Sequence, residues 1–386
     1  MSAKKIYRAA VIGCGGMGRN QARLLKAMPE FHLAAVCDLD SERAEEVARA
    51  TGATVYGDVE EMLQREEPEV VAIPTANTSH APLTLKVAEH GVRAIFCEKP
   101  MAMNTADARA MVEKCRQNNV LLVINHQRRL GSDLVEARRL IEAGAIGEVL
   151  VMRGYSAGDM LSDGTHCVDS LMFLAGDPRV NWVYGTVERD LEALARKWRK
   201  MGRDIPAEGL GYRYGHPVES GAMAVAELRG GTRVELFTGE LRPPKRIYQD
   251  YVIEGTRGSL WRVPDKFRPD NLYITDARGG DRVIGEVDYH QCPVPAADGQ
   301  PGQWRAVPLP PEEGGVTGIE KALRLLAHSL ETGEPHPMAG ELALRGMQIV
   351  MGVYESARRG ARVICPFETD RFPLESLLED AAALRA

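Results

Sequence analysis

No apolar run in this 386-residue chain approaches the roughly 18 uninterrupted positions of a membrane-crossing helix, which argues against a span. The opening MSAKKIYRAAVIGCGG does not read as a signal peptide either, because its short apolar run is taken up by a first strand. Positive charge is not in excess: 48 Lys and Arg face 54 Asp and Glu, a net charge of -6, so neither a nucleic-acid surface nor attraction to anionic membranes is expected. The one locally basic stretch, ALARKWRKMGR at 193–203, is short and reads as a solvated face. There is no CxxC, and the seven cysteines (Cys14, Cys37, Cys97, Cys115, Cys167, Cys292, Cys365) are odd in number and scattered. They read as buried reduced thiols of a cytoplasmic protein, not disulfides or zinc ligands. Internal repeats and low-complexity tracts are absent too. What remains, 44% hydrophobic and 26% charged, is a soluble globular composition long enough for two domains.

The stretch that organises the chain is AAVIGCGGMG, residues 9–18. An apolar strand runs into Gly13, Gly15 and Gly18, and a helix-like pattern follows at once, as in a dinucleotide-binding unit. Gly13 permits the turn, Gly15 lets backbone approach a pyrophosphate, and Gly18 lets helix and strand pack closely. Cys14, Gly16 and Met17 complete the cofactor-binding loop, whose free amides and helix dipole attract phosphate. A second apolar run, 32–37, ends in Asp38, about 20 residues past the last glycine. A carboxylate there accepts from the ribose hydroxyls and repels a 2′-phosphate, so NAD is favoured over NADP, although Arg43 is near enough to meet such a phosphate. The other reading is that Asp38 or Asp40 merely starts the next helix. Ser41 caps equally well, which leaves Asp38 free for the ribose.

Strands alternate with helices of about ten residues up to Ile124, predicting a doubly wound parallel sheet in a dinucleotide-binding domain over 1–127. Beyond it the period becomes two, in runs at 180–187, 222–228, 233–238, 248–253 and 259–263, with Gly-rich turns between several of them. These predict an α/β domain over 128–365 with a large open, mostly antiparallel sheet. Residues 264–315 read as loop, helices at 319–330 and 340–359 finish the domain, and 366–386 read as a short appendage.

Ligands of an open parallel sheet lie beyond the C-terminal ends of its strands. Three strands deliver polar residues there: Thr75, Asn77 and His80; Glu98 and Lys99; and the run Asn125 to Arg129. Of these, Thr75, Asn77, His80, Glu98 and Gln127 are candidate cofactor contacts. Lys99 is the candidate catalyst: beside a bound nicotinamide its ammonium stabilises a developing alkoxide, or its amine accepts a proton. No metal-ligand spacing is recognisable among Asp163, His166, Asp169 and His216, and His328 and His336 read as surface residues.

The glycine turn, Asp38, Glu98-Lys99-Pro100 and the helix carrying Gly164-Thr165-His166-Cys167-Val168-Asp169 together resemble the Gfo/Idh/MocA oxidoreductases. The resemblance spans most of the chain, and Glu-Lys-Pro is its most specific part. It implies NAD(P)-dependent oxidation or reduction of a sugar, cyclitol or glycoside hydroxyl. It also implies a second domain whose open sheet builds a homodimer or homotetramer, and a cis bond before Pro100. Residue by residue, Lys99 matches the catalytic lysine and His166 the acid/base histidine. Gln127 and Arg129 fall where relatives line nicotinamide and substrate, and Tyr155 and Thr165 are further substrate contacts. One position departs: the family carries Asp four residues before the histidine, and here Ser162 stands there. Asp163, on an adjacent part of that face, is one substitute; otherwise Lys99 and His166 act alone, with Ser162 capping the helix.

The expected reaction is transfer of hydride from a secondary alcohol to the nicotinamide. Neutral His166 takes the hydroxyl proton and Lys99 stabilises the oxyanion. Two alternatives stand beside it: a redox-assisted lyase or hydrolase with tightly held NAD, and a nucleotide-sensing regulator without turnover on the same fold.

Overall fold

The structure is a computed structural model describing residues 5–201, 205, 208–243, 246, 248–263, 271–276, 304–310 and 316–383. Its first sheet has six parallel strands: β1 (Tyr7–Ile12), β2 (Phe31–Cys37), β3 (Thr54–Tyr56), β4 (Val70–Ile73), β5 (Ala94–Cys97) and β6 (Leu121–Ile124). The order is β3-β2-β1-β4-β5-β6, so the winding reverses between β1 and β4. Strands β4 and β5 are wholly apolar and buried because helices cover both faces of the sheet. The connecting helices are α1 (Gly16–Ala27), α2 (Ser41–Thr51), α3 (Val59–Glu66), α4 (His80–Val87) and α5 (Thr105–Gln117). The cap of α2 is Asp40, whose carboxylate accepts from the Arg43 amide; Ser41 is already the first helical residue.

Helix α6 (Ser132–Glu142) leads to β7 (Val149–Ser156), α7 (Thr165–Leu174), β8 (Val180–Glu188) and α8 (Leu191–Met201). The remaining strands are β9 (Tyr212–Arg213), β10 (His216–Pro217), β11 (Gly221–Leu228), β12 (Arg233–Thr238), β13 (Asp250–Gly255), β14 (Gly258–Arg262), β15 (Leu272–Asp276), β16 (Arg305–Ala306) and β17 (Val363–Ile364). Helices α9 (Gly318–Thr332), α10 (Gly340–Arg359) and α11 (Pro373–Ala383) complete the described chain. Nine of these strands form one mixed sheet, β16-β15-β14-β13-β7-β12-β11-β8-β17, antiparallel except where β7 meets β12. Burial alternates along β11 and β12, so one face is covered and the other open. On the covered face, Gly154 of β7 admits Cys167 and Leu171 of α7, and Gly352 of α10 sits against Val183 of β8.

Four elements differ from expectation. The loop region 264–315 contains β15 and β16, while its parts 264–270, 277–303 and 311–315, with Cys292, lie outside the described residues. Helix α9 returns to the first sheet: Ile319, Ala322, Leu323 and Leu326 pack with Tyr7, Val11, Phe96 and Val123. His336 is buried, its Nε2 facing the Ala322 carbonyl at 3.2 Å and its Nδ1 accepting from the Met338 amide at 3.0 Å. The tail is no appendage, since Phe372 and Leu374 are buried and Thr369 exchanges hydrogen bonds with Thr105. The six described cysteines are free thiols, five of them buried. Among the described residues no helix is long and apolar enough to cross a membrane.

Candidate active site

The turn after β1 has the shape its glycines require. Gly13 takes φ +99°, and a Cβ there would meet Thr75 Cγ2 at 2.9 Å. At Gly18 a Cβ would stand 1.8 Å from the Gly13 carbonyl oxygen, so only glycine lets α1 begin so close to β1. Gly15 and Gly16 face open space, and α1 begins without a capping side chain or an acidic residue in its first turn. Its first amides are therefore free for an anion. Asp38 sits at the C-terminal end of β2, where its carboxylate accepts from the Cys14 amide (2.6 Å) and the Asp40 amide (2.9 Å). It braces the glycine turn from the ribose position and remains part-exposed, with unused lone pairs. An open uncapped helix start beside a carboxylate fits a dinucleotide.

Several cofactor candidates serve as internal braces. His80 is fully buried, its Nδ1 2.7 Å from the Pro100 carbonyl and its Nε2 3.2 Å from that of Thr75. It ties the loops after β4 and β5 together and has no face left for a cofactor. Glu98 is buried and accepts from Gln21 of α1 (2.7 Å) and Asn125 after β6 (2.6 Å). Burial pushes its carboxyl up. Asn77 donates to His216 Nε2 at 2.9 Å, joining the first sheet to β10, and Thr75 accepts from Ser79. Gln127 packs against Gly318 and, with Arg128, lines a cavity of about 650 Å³ whose walls include neither Lys99 nor His166.

Lys99 follows β5 and a cis peptide joins it to Pro100. Its Nζ donates to the Ser162 carbonyl at 2.7 Å. Ser162 lies in a wide π-type turn, Met160–Gly164, that feeds directly into α7. The cap of that turn is Asp159, which accepts from the Ser162 amide at 2.6 Å. Ser162 therefore does not cap; its hydroxyl faces His216 Nε2 at 3.5 Å. Asp163 is paired with Arg213 at 2.6 Å, a guanidinium that Asp159 shares at 2.8 Å.

His166 opens α7 and is buried, with Nδ1 lacking any partner. Burial first, then the nearby Lys99 ammonium, with His126 and Arg128 adding to it, holds its imidazole well below the ordinary range, hence neutral. The His126 ring stands edge-on to it at 5.8 Å. His126 lies 3.3 Å from Asp169 through Nδ1 and 3.1 Å from the Thr165 hydroxyl through Nε2. Because Asp169 offers only acceptors, Nδ1 carries the proton and Thr165 donates to Nε2. Burial pushes His126 down to about 4.

Arg129 is a substrate candidate that the fold removes. It is 1% exposed and forks onto Asp169 (2.9 and 2.5 Å), with Asp177 at 3.3 and 3.2 Å and the Pro337 carbonyl at 2.8 Å. Every direction of its guanidinium is taken. Tyr155 is buried, stacked on Phe237 at 5.5 Å with the Arg246 guanidinium over its ring. Sequence reasoning gave His126, within the run Asn125 to Arg129, no role of its own, and missed Asp159, Arg213 and Glu219 as parts of the site. Asp159, three residues before Ser162, carried a usable capping signal.

The family model described as "Oxidoreductase family, NAD-binding Rossmann fold" (Gfo/Idh/MocA) matches residues 7–126. Scyllo-inositol 2-dehydrogenase (NAD(+)) of Bacillus subtilis is 32% identical over 291 residues, covering 68% of this chain and 80% of that protein. The chain belongs to the Gfo/Idh/MocA family. This family member is an NAD-dependent oxidoreductase. D-apiose dehydrogenase of Paraburkholderia graminis is 29% identical over 371 residues, 93% of this chain and 90% of that protein. An oxidoreductase from Agrobacterium radiobacter, solved with NAD+, L-tartaric acid and magnesium, shares the fold with a TM-score of 0.70 at 20% identity, over 93% of this chain and 98% of that one.

Proposed function

We propose that this chain is an NAD-dependent dehydrogenase of a secondary hydroxyl on a sugar or cyclitol, with Lys99 and His166 as its chemical groups. The observation that carries the reading is the pairing of a tethered Lys99 ammonium with a buried, neutral His166. NAD, when bound at the glycine turn, supplies the hydride acceptor. Lys99 donates to the substrate oxygen and stabilises the alkoxide as it forms. His166, neutral and with its Nδ1 unpartnered, takes the hydroxyl proton. Thr165, whose proton is committed to His126, offers lone pairs to a substrate hydroxyl. The substrate class rests on two relatives, the inositol and apiose dehydrogenases, of which the chain covers 80% and 90%. A homodimer or homotetramer through the open face of the large sheet belongs to the same reading, supported by the exposed Leu150, Tyr184 and Met223 on that face.

The test is NAD reduction, followed by absorbance, against a panel of sugars, sugar acids, inositols and glycosides. Lys99→Ala is expected to lower turnover of the best substrate by at least about 10²–10⁴-fold while NAD titration stays unchanged. Wild-type turnover in that variant overturns the mechanism.

A further inference from the structure

Where the family carries a carboxylate, this chain has Ser162, so Lys99 is held by a backbone carbonyl. The position of that carbonyl depends on the Met160–Gly164 turn, and successive amides of the turn are pinned from outside. The Met160 amide donates to Glu219 Oε1 at 2.5 Å, and the Leu161 amide donates to the Tyr354 hydroxyl at 3.1 Å. That hydroxyl in turn donates to Glu219 Oε2 at 2.9 Å. The Ser162 amide donates to Asp159, which Arg213 holds at 2.8 Å. Glu219 thus secures two of these amides, one directly and one through Tyr354, from a site only 2% exposed.

We infer that Glu219 is a positioning residue for Lys99, fixing the turn so that the Ser162 carbonyl meets the ammonium; this rests on Lys99 being catalytic. The ionised carboxylate is the form that accepts both donors. A proton on Oε2 would turn that oxygen into a donor facing the Tyr354 hydroxyl, which already accepts from Leu161. The charged and titratable neighbours are Asp159, Tyr354 of α10, Arg213 of β9 (through Asp159), Asp163 and His216 of β10. Burial first, then the Asp159 charge, pushes Glu219 up to about 7. As an acid whose folded value lies above its unfolded one, it is ionised, and the turn secured, only as pH rises through about 7. His166, held well below its ordinary range, stays neutral across that window.

The experiment compares wild type, Glu219→Gln and Tyr354→Phe by kcat and KM from about pH 6 to about pH 8 on the best panel substrate, beside crystal structures of each. Gln copies the protonated acid, so at about pH 8 kcat is expected to fall about tenfold, with KM for NAD unchanged and the rise in kcat through neutral pH abolished. Tyr354→Phe, which removes one hydroxyl, is expected to lower kcat in the same direction by less. In the Glu219→Gln crystal the Lys99 Nζ–Ser162 carbonyl contact is expected to open beyond hydrogen-bond reach. Wild-type kcat and pH profile in Glu219→Gln, or an intact contact in its crystal, overturns the inference. Loss of activity in Lys99→Ala alongside a normal Glu219→Gln rejects this inference and leaves the dehydrogenase reading standing.

Discussion

Arg129 has its guanidinium shared between two buried carboxylates, with 1% of its surface exposed. Its removal leaves Asp169 with only the His126 ring at 3.3 Å and Asp177 with Arg138 at 3.6 Å, a penalty far above that of a surface pair. Arg129→Met is therefore expected to lower unfolding free energy by about 3–5 kcal/mol, measured by denaturant titration. A loss near zero would mean that the carboxylates find other partners. At this scale the sequence was informative about residue type and poor about partner. Lys99 was legible from its place after a buried strand. That it meets a carbonyl was not, because the partner lies 63 residues away. Arg129 looked like a ligand contact for the same reason: the run Asn125 to Arg129 leaves the sheet at the right end, but its side chains part in pairs. His126 and Arg129 both turn to Asp169, while Gln127 and Arg128 line a separate cavity.

Elements are where the glycine turn is decided. Gly18 was assigned to close packing of helix on strand from spacing alone, and its hypothetical Cβ lies 1.8 Å from backbone that has no rotamer to yield. Gly18→Ala must displace α1, and is expected to cost about 1–3 kcal/mol of stability and to weaken NAD binding at least about tenfold by fluorescence titration. Unaltered NAD affinity would show the helix start free to shift. The strands of the first sheet were readable because each is a short apolar run between turn signals. The Met160–Gly164 turn was not, since its width comes from the Asp159 cap and from Glu219 and Tyr354, on other elements.

For the whole molecule, the surprises lie in how late segments return to early ones. Helix α9 covers a face of the first sheet, and α11 follows a segment that lays Phe372 edge-on to His216 (5.7 Å) and Tyr354 (5.2 Å). A chain ending at Asp370 loses Phe372 and Leu374 from the core, each worth about 1.5–3 kcal/mol of burial. Its melting temperature is expected to drop by several degrees and its kcat to fall, since Tyr354 supports the turn beside Lys99. A truncated chain melting and turning over like the full one would return the tail to the status of an appendage.

Local pattern settled whatever depends on neighbours in sequence: the parallel and open sheets, the glycine turn, the lysine after β5 and the histidine opening α7. Tertiary structure alone decided which polar side chains are spent on one another, as with His80, Glu98, Arg129 and Asp163. The reason is physical. A buried polar group must find a partner, and that partner is chosen by packing between segments tens to hundreds of residues apart, which no local periodicity records.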